Sequence, residues 1–175
     1  MDHHHGLTAI ELVTALAVLG VLVAIGVPGF TALIANNQLS STTNQLMTAA
    51  YFTRMEALRF NQTVTMCPSE DGETCSTNAW EQGWIVYRNP QREPQPVSAD
   101  AILRQDRLSP NRRLTMSGNT PLRNYISYNG LGISRRHTGA LQMGSITLCR
   151  DGYGRRFVLN AGGRPRAENM RCDED

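Results

Sequence analysis

At 175 residues, 41% hydrophobic and 18% charged, the chain suits one domain with or without an N-terminal appendage, and those fractions exclude a disordered chain and a polytopic membrane protein. The formal net charge of +2 hides an asymmetry: residues 1–100 carry four arginines against nine acids, and residues 101–175 carry thirteen arginines against six acids. A division of about −5 against about +7 points to a polyanionic partner for the C-terminal part.

The first element is an apolar helix. From Leu7 to Ala35 the only non-apolar side chains are Thr8, Glu11, Thr14 and Thr31. At 1.5 Å per residue the stretch is about 40 Å long, enough to cross a bilayer. A cleavable secretory signal would want a basic start and a shorter apolar core. An ordinary anchor helix would exclude Glu11, whose carboxylate costs roughly 2.5–3.5 kcal/mol at mid-membrane. A cost of that size needs a partner. Pro28 removes one backbone bond and is expected to bend the axis.

From Asn36 the sequence turns polar, "NNQLSSTTNQLMTAAYFTRMEALRFNQ", with no proline. Leu39, Leu46, Ala50, Thr53, Ala57 and Phe60 recur at spacings of three, four and seven, the pattern of a continuing amphipathic helix with one face for a sheet. Asn61 and Gln62 are expected to end it. Short β-type runs follow at 63–67, 83–88, 112–117, 123–129, 145–150 and 155–160, separated by Gly-, Asn- and Pro-bearing turns. They predict an antiparallel sheet laid against the helix, an α+β fold. Residues 88–100, with three prolines, are the most loop-like stretch.

Four cysteines, Cys67, Cys75, Cys149 and Cys172, form no C-x-x-C pair, and the folded part has a single histidine, His137. That is too sparse for a zinc site and favours two disulfides in an oxidising compartment. Four cysteines permit three connectivities. Proximity alone suggests Cys67 with Cys75, stapling a short loop, and Cys149 with Cys172, tying down the tail. No catalytic set is legible, and no metal or cofactor is implied. His137 reads as a surface residue of a basic loop, Trp80 and Trp84 as packing residues, and Tyr125 and Tyr128 as strand positions.

The stretch "GLTAIELVTALAVLGVLVAIGVPGF" resembles the N-terminus of type IV pilins and pseudopilins. The resemblance implies a leader, residues 1–6, cut by a prepilin peptidase between Gly6 and Leu7, methylation of the new N-terminus, and a helix at 7–35 held in the inner membrane. It also implies that Glu11 pairs with the N-terminal amine of a neighbouring subunit during filament assembly, which would supply the acid's partner. Leu7 and Ala9 stand where the family usually has phenylalanine and leucine, and the leader "MDHHHG" lacks a basic residue. His3, His4 and His5 are read as leader residues lost on maturation. The stretches "CPSEDGETCSTNAWEQGWIVYR" and "GSITLCRDGYGRRFVLNAGGRPRAENMRC" resemble the FimT/FimU minor pilins and the related GspH pseudopilins. They imply a periplasmic pilin domain over 36–175 whose partners are other pilin subunits.

The tail, "NAGGRPRAENMRC", carries a G-R-x-R motif: Gly163, Arg164, Pro165 and Arg166. In FimT-type pilins linked to natural transformation such a motif contacts DNA, so the resemblance implies double-stranded DNA as a partner. The physical case stands beside it. Pro165 disfavours a helical Arg164, so the triplet is expected to be extended. Positions i and i+2 of an extended segment face the same way, roughly 6.5 Å apart. Arginine offers a planar fork for phosphate oxygens. Arg150, Arg155, Arg156 and Arg171, with Arg135 and Arg136 beyond them, are expected to extend the patch. The competing reading is that Arg164 and Arg166 flank a final edge strand and keep it soluble. Two alternatives to a DNA-binding minor pilin stay open: a structural minor pilin that primes assembly, and a pseudopilin of a type II secretion system.

Overall fold

The computed structural model describes residues 8–108 and 113–172. It divides the chain into two compact units, Met1–Asn37 and Gln38–Asp175, with helix α1 assigned over Ala9–Phe60. In the first unit, large apolar side chains such as Ile10, Leu16, Leu22 and Phe30 are all exposed. This part of α1 is long and apolar enough to cross a membrane.

In the second unit, the polar half of α1 buries the stripe expected from its periodicity. Leu39, Leu46, Ala50, Thr53 and Ala57 are fully buried, and Phe60 packs against the same core. Buried threonines are tolerated because Thr43 and Thr53 donate their hydroxyls to the carbonyls of Leu39 and Ala49, both at 2.7 Å. The helix stops where its carbonyls find turn partners. Asn61 takes a left-handed φ of 50°, its N–H donates to Leu58, and Gln62 N–H donates to Ala57. This pair of bonds is a Schellman cap, with asparagine in the place glycine usually fills.

Eight strands follow: β1 (Val64–Pro68), β2 (Gly83–Arg88), β3 (Ile102–Arg107), β4 (Thr115–Gly118), β5 (Ile126–Tyr128), β6 (Gly144–Arg150), β7 (Tyr153–Leu159) and β8 (Pro165–Arg171). The single sheet expected from the sequence is in fact two antiparallel four-stranded sheets, ordered β3-β2-β1-β5 and β4-β6-β7-β8. The chain leaves the first sheet after β3, contributes β4 to the second, and returns with β5. The tight turn at Asn119–Leu122 makes that crossing, closed by Leu122 N–H on the Asn119 carbonyl.

One core cluster joins the helix to both sheets. Leu39, Leu46 and Ala57 of α1 meet Val64, Met66, Val86 and Ile126 of the first sheet and Met116, Ile146, Leu148 and Phe157 of the second. The two tryptophans belong to it. Trp80 donates its indole N–H to the carbonyls of Leu122 and Arg123, and Trp84 donates to Asp106 Oδ2 at 3.0 Å. A second small cluster, Cys67, Ile85 and Tyr87, lies on the opposite face of the first sheet.

Candidate nucleic-acid interface

Gly6 and Leu7, the expected cleavage pair, lie outside the described residues, as do His3, His4 and His5. Glu11 is described, and it already has a local partner. Its Oε2 accepts the backbone N–H and the hydroxyl of Thr8, both at 2.8 Å, while Glu11 N–H donates to Thr8 Oγ1. This reciprocal exchange is a capping box. It satisfies orphan donors of the first helical turn and gives the carboxylate a partner within its own helix.

The C-terminal motif is built by the β7–β8 hairpin. Asn160 clasps the turn: its side-chain oxygen accepts Arg164 N–H at 2.9 Å, and its carbonyl accepts Gly163 N–H. Gly163 has φ +75°, and a Cβ there would lie 2.9 Å from the Gly132 carbonyl oxygen and from the Tyr128 ring. Glycine is therefore required for the turn to seat against residues 130–134, which follow β5 of the other sheet. Its place in the motif is positional. Pro165 opens β8 and is buried, and its carbonyl accepts the Tyr51 hydroxyl of α1 at 3.3 Å. Arg164 and Arg166 are exposed on either side of it. Alternation places both on the face away from the core, about 6.6 Å apart along the chain.

The remaining arginines do not form one patch. Arg156 lies across from Thr147 of β6 and Glu168 of β8, and Arg166 lies across from Val158. Pleat parity therefore puts Arg156 on the outer face with Arg164 and Arg166. A groove of about 460 Å³ on that face is lined by Ser145, Arg156, Val158, Arg166 and Glu168 among others. Arg155, one residue from Arg156, points the other way, on the side of Phe157 and Leu159. Arg150 and Arg171 share that side and sit at the far end, both opposite Tyr153. Six strand steps separate Pro165 from Arg171, about 20 Å. Arg150 is largely buried there and engages Asp151 at 3.3 Å.

Arg135 and Arg136 lie in a separate turn, where Arg136 N–H donates to Ala140 and Arg135 donates to the Gly139 carbonyl. His137, expected on the surface, is half-buried. Its ring stacks on Tyr125 with centroids 3.9 Å apart, and its N–H donates to the Tyr125 hydroxyl. Burial first, then the Arg92 charge, holds its imidazole below the ordinary value.

Two disulfides frame the domain, Cys67–Cys75 and Cys149–Cys172. The second anchors the tail beyond β8 to β6. It reaches over β7 at Gly154, where a Cβ would stand 2.5 Å from Cys172 Sγ.

A family model described as "Type II transport protein GspH" matches residues 42–163, more than half of the chain. The chain belongs to the GspH family. The match ends at Gly163, so β8 with Arg166 lies beyond it. Two crystal structures of the type IV minor pilin FimU of Pseudomonas aeruginosa share the fold. One, in space group P21, has a TM-score of 0.55 at 17% identity and covers 76% of this chain and 90% of its own. The other, in space group P65, has a TM-score of 0.53 at 16% identity and covers 74% and 92%. No curated protein matches the chain at a significant level. A GspH-family protein with a long apolar helix and a pilin-like fold is a pilin-type subunit, and that membership implies assembly with other pilins.

Proposed function

We propose that this GspH-family protein is a minor pilin of a type IV pilus that binds extracellular double-stranded DNA for uptake in natural transformation. The observation that carries the reading is the pair Arg164 and Arg166, exposed on either side of a buried Pro165 that is tied to α1. Arg156 adds a third guanidinium to the same face. Phosphate contacts of this kind bind duplex without reading its sequence and weaken steeply with salt. Arg150, Arg155 and Arg171 form a separate, more distant basic region and are secondary in this reading.

The N-terminus follows the same reading. A prepilin peptidase cuts between Gly6 and Leu7, the new N-terminus is methylated, and the helix holds the precursor in the inner membrane with its globular unit in the periplasm. On assembly, Glu11 exchanges Thr8 for the amine of a neighbouring subunit.

A gel shift tests the DNA reading, with the full chain in non-ionic detergent against Arg164→Gln/Arg166→Gln across a salt series. The double variant is expected to bind much more weakly, with a log–log salt slope shallower by about two. Absence of binding by the parent at low salt refutes the reading. The description of the matching family model favours a second one, a pseudopilin of a type II secretion system. Deletion separates the possibilities: loss of transformation with pili intact supports DNA capture, loss of pili supports a structural minor pilin, and loss of secretion supports the pseudopilin.

A further inference from the structure

Among the described residues, the outer face of the β7–β8 ribbon carries a single carboxylate amid its arginines. Glu168 lies directly across from Arg156 in the strand register and two residues along β8 from Arg166. Both Nε and Nη2 of Arg166 donate to Glu168 Oε1, at 2.9 and 2.8 Å. Arg166 and Glu168 are 60% and 40% exposed, so water screens the pair and it is held only weakly. Arg156, Arg166 and Glu168 all line one groove. Arg156 and Arg164 meet no carboxylate among the described residues, whereas Arg166 does.

We infer that Glu168 is a built-in competitor for the nucleic-acid phosphate, occupying Arg166 in the free protein and yielding it to a phosphodiester oxygen when DNA enters the groove. The inference deepens the DNA-binding reading and rests on it. A carboxylate and a phosphodiester present similar paired oxygens to the planar guanidinium, so one replaces the other on the same donors. The exchange leaves Glu168 beside the duplex anions with Arg156, directly across the strands, as its nearest remaining cation. That carboxylate draws a cation back and offsets part of the counterion release that drives binding. Glu168 thus lowers both the affinity of this face and its salt dependence below what Arg156, Arg164 and Arg166 would give without it.

Fluorescence anisotropy tests this, with the full chain in non-ionic detergent titrated onto a labelled duplex of random sequence from low to physiological salt. Four proteins are compared: the parent, Glu168→Gln, Glu73→Gln and Arg164→Gln/Arg166→Gln. Glu73 is exposed in the loop after β1, in the other sheet, and its substitution makes the same change in net charge. Glu168→Gln is expected to tighten binding about three- to tenfold at low salt and to steepen the log–log slope by up to about 0.9. Glu73→Gln is expected to change affinity less than about twofold. The inference is overturned if Glu168→Gln binds as the parent does, or if Glu73→Gln tightens binding equally. Failure of the underlying reading looks different: the parent then binds no DNA, or binds it independently of Arg164 and Arg166, and both proposals fall together.

Discussion

Removing the Cys149–Cys172 disulfide, as Cys149→Ser/Cys172→Ser, should cost more stability than removing Cys67–Cys75. The bridged residues are 23 and 8 apart. Closing a loop of that length in the unfolded chain gives about 3.4 kcal/mol for the longer bridge and about 2.5 kcal/mol for the shorter one at 25 °C. The globular unit from Gln38 holds both bridges, both sheets and the shared core, so its urea unfolding reads the effect. Trp80 and Trp84, both buried in that core, make fluorescence a direct probe. With a slope near about 2 kcal/mol per molar urea, the midpoint should fall by about 1.7 M for the 149–172 variant and about 1.2 M for the 67–75 variant. If the 67–75 variant loses more, closure entropy does not govern these bridges and the reasoning fails. The local hydrogen bonds of the short loop, where Asp71 accepts the N–H groups of Glu73 and Thr74, would then matter more than the length of chain each bridge closes.

Gly154→Val should destabilise the domain by about 1–3 kcal/mol by pressing on Cys172 Sγ, and alkylation during oxidative refolding should find Cys149 and Cys172 the slower pair to join. Asp106→Ala leaves the buried Trp84 indole N–H without its acceptor and releases Arg104; a loss of about 1–3 kcal/mol is expected in urea, and Asp106→Asn should recover most of it. His137 gives a pH signature. Because its folded value is depressed, folding favours the neutral ring, and that contribution is complete above the unfolded value near 6.5 and lost as pH falls through it towards the folded value. Thermal midpoints should therefore drop as pH falls below about 6.5 in the parent and drop less in His137→Gln.

Much of this fold is written in local pattern. The β-branched runs give β1, β2, β6 and β7, and the apolar stripe from Leu39 to Phe60 gives the buried face of α1. Two strands lie outside those runs: β3, with "ILRQDR", and β8, with "PRAENMR", which the sequence suggests only as the alternative of a final edge strand around Arg164 and Arg166. Both are sheet edges, where one side is open and charge discourages pairing with other chains, so the apolar alternation that marks a strand is absent. The division into two sheets escapes local pattern too, because pairing between distant strands leaves no local trace.

The site is partly legible. The exposed pair around Pro165 follows from strand alternation. The same rule separates Arg155 from Arg156, since neighbours in any strand face opposite ways, and it argues against treating them as one patch. Glu168 as a partner of Arg166 depends on rotamers and register. The capping box of Thr8 and Glu11 is legible as T-x-x-E ahead of an apolar run, but the cost of a charge within that run points equally to a distant partner.

The order of the cysteines has a consequence for biogenesis. Each bridge joins a cysteine to the next one along the chain, first to second and third to fourth. A globular unit that emerges from its N-terminal end into an oxidising compartment presents Cys75 soon after Cys67, with the other two still to come. An oxidant that joins thiols as they arrive therefore makes the native pairs by default, and a reshuffling catalyst has nothing to correct. The second closure must wait for Cys172, which follows β8, so of the two bridges the one that anchors the hairpin bearing Arg164 and Arg166 is the later to lock.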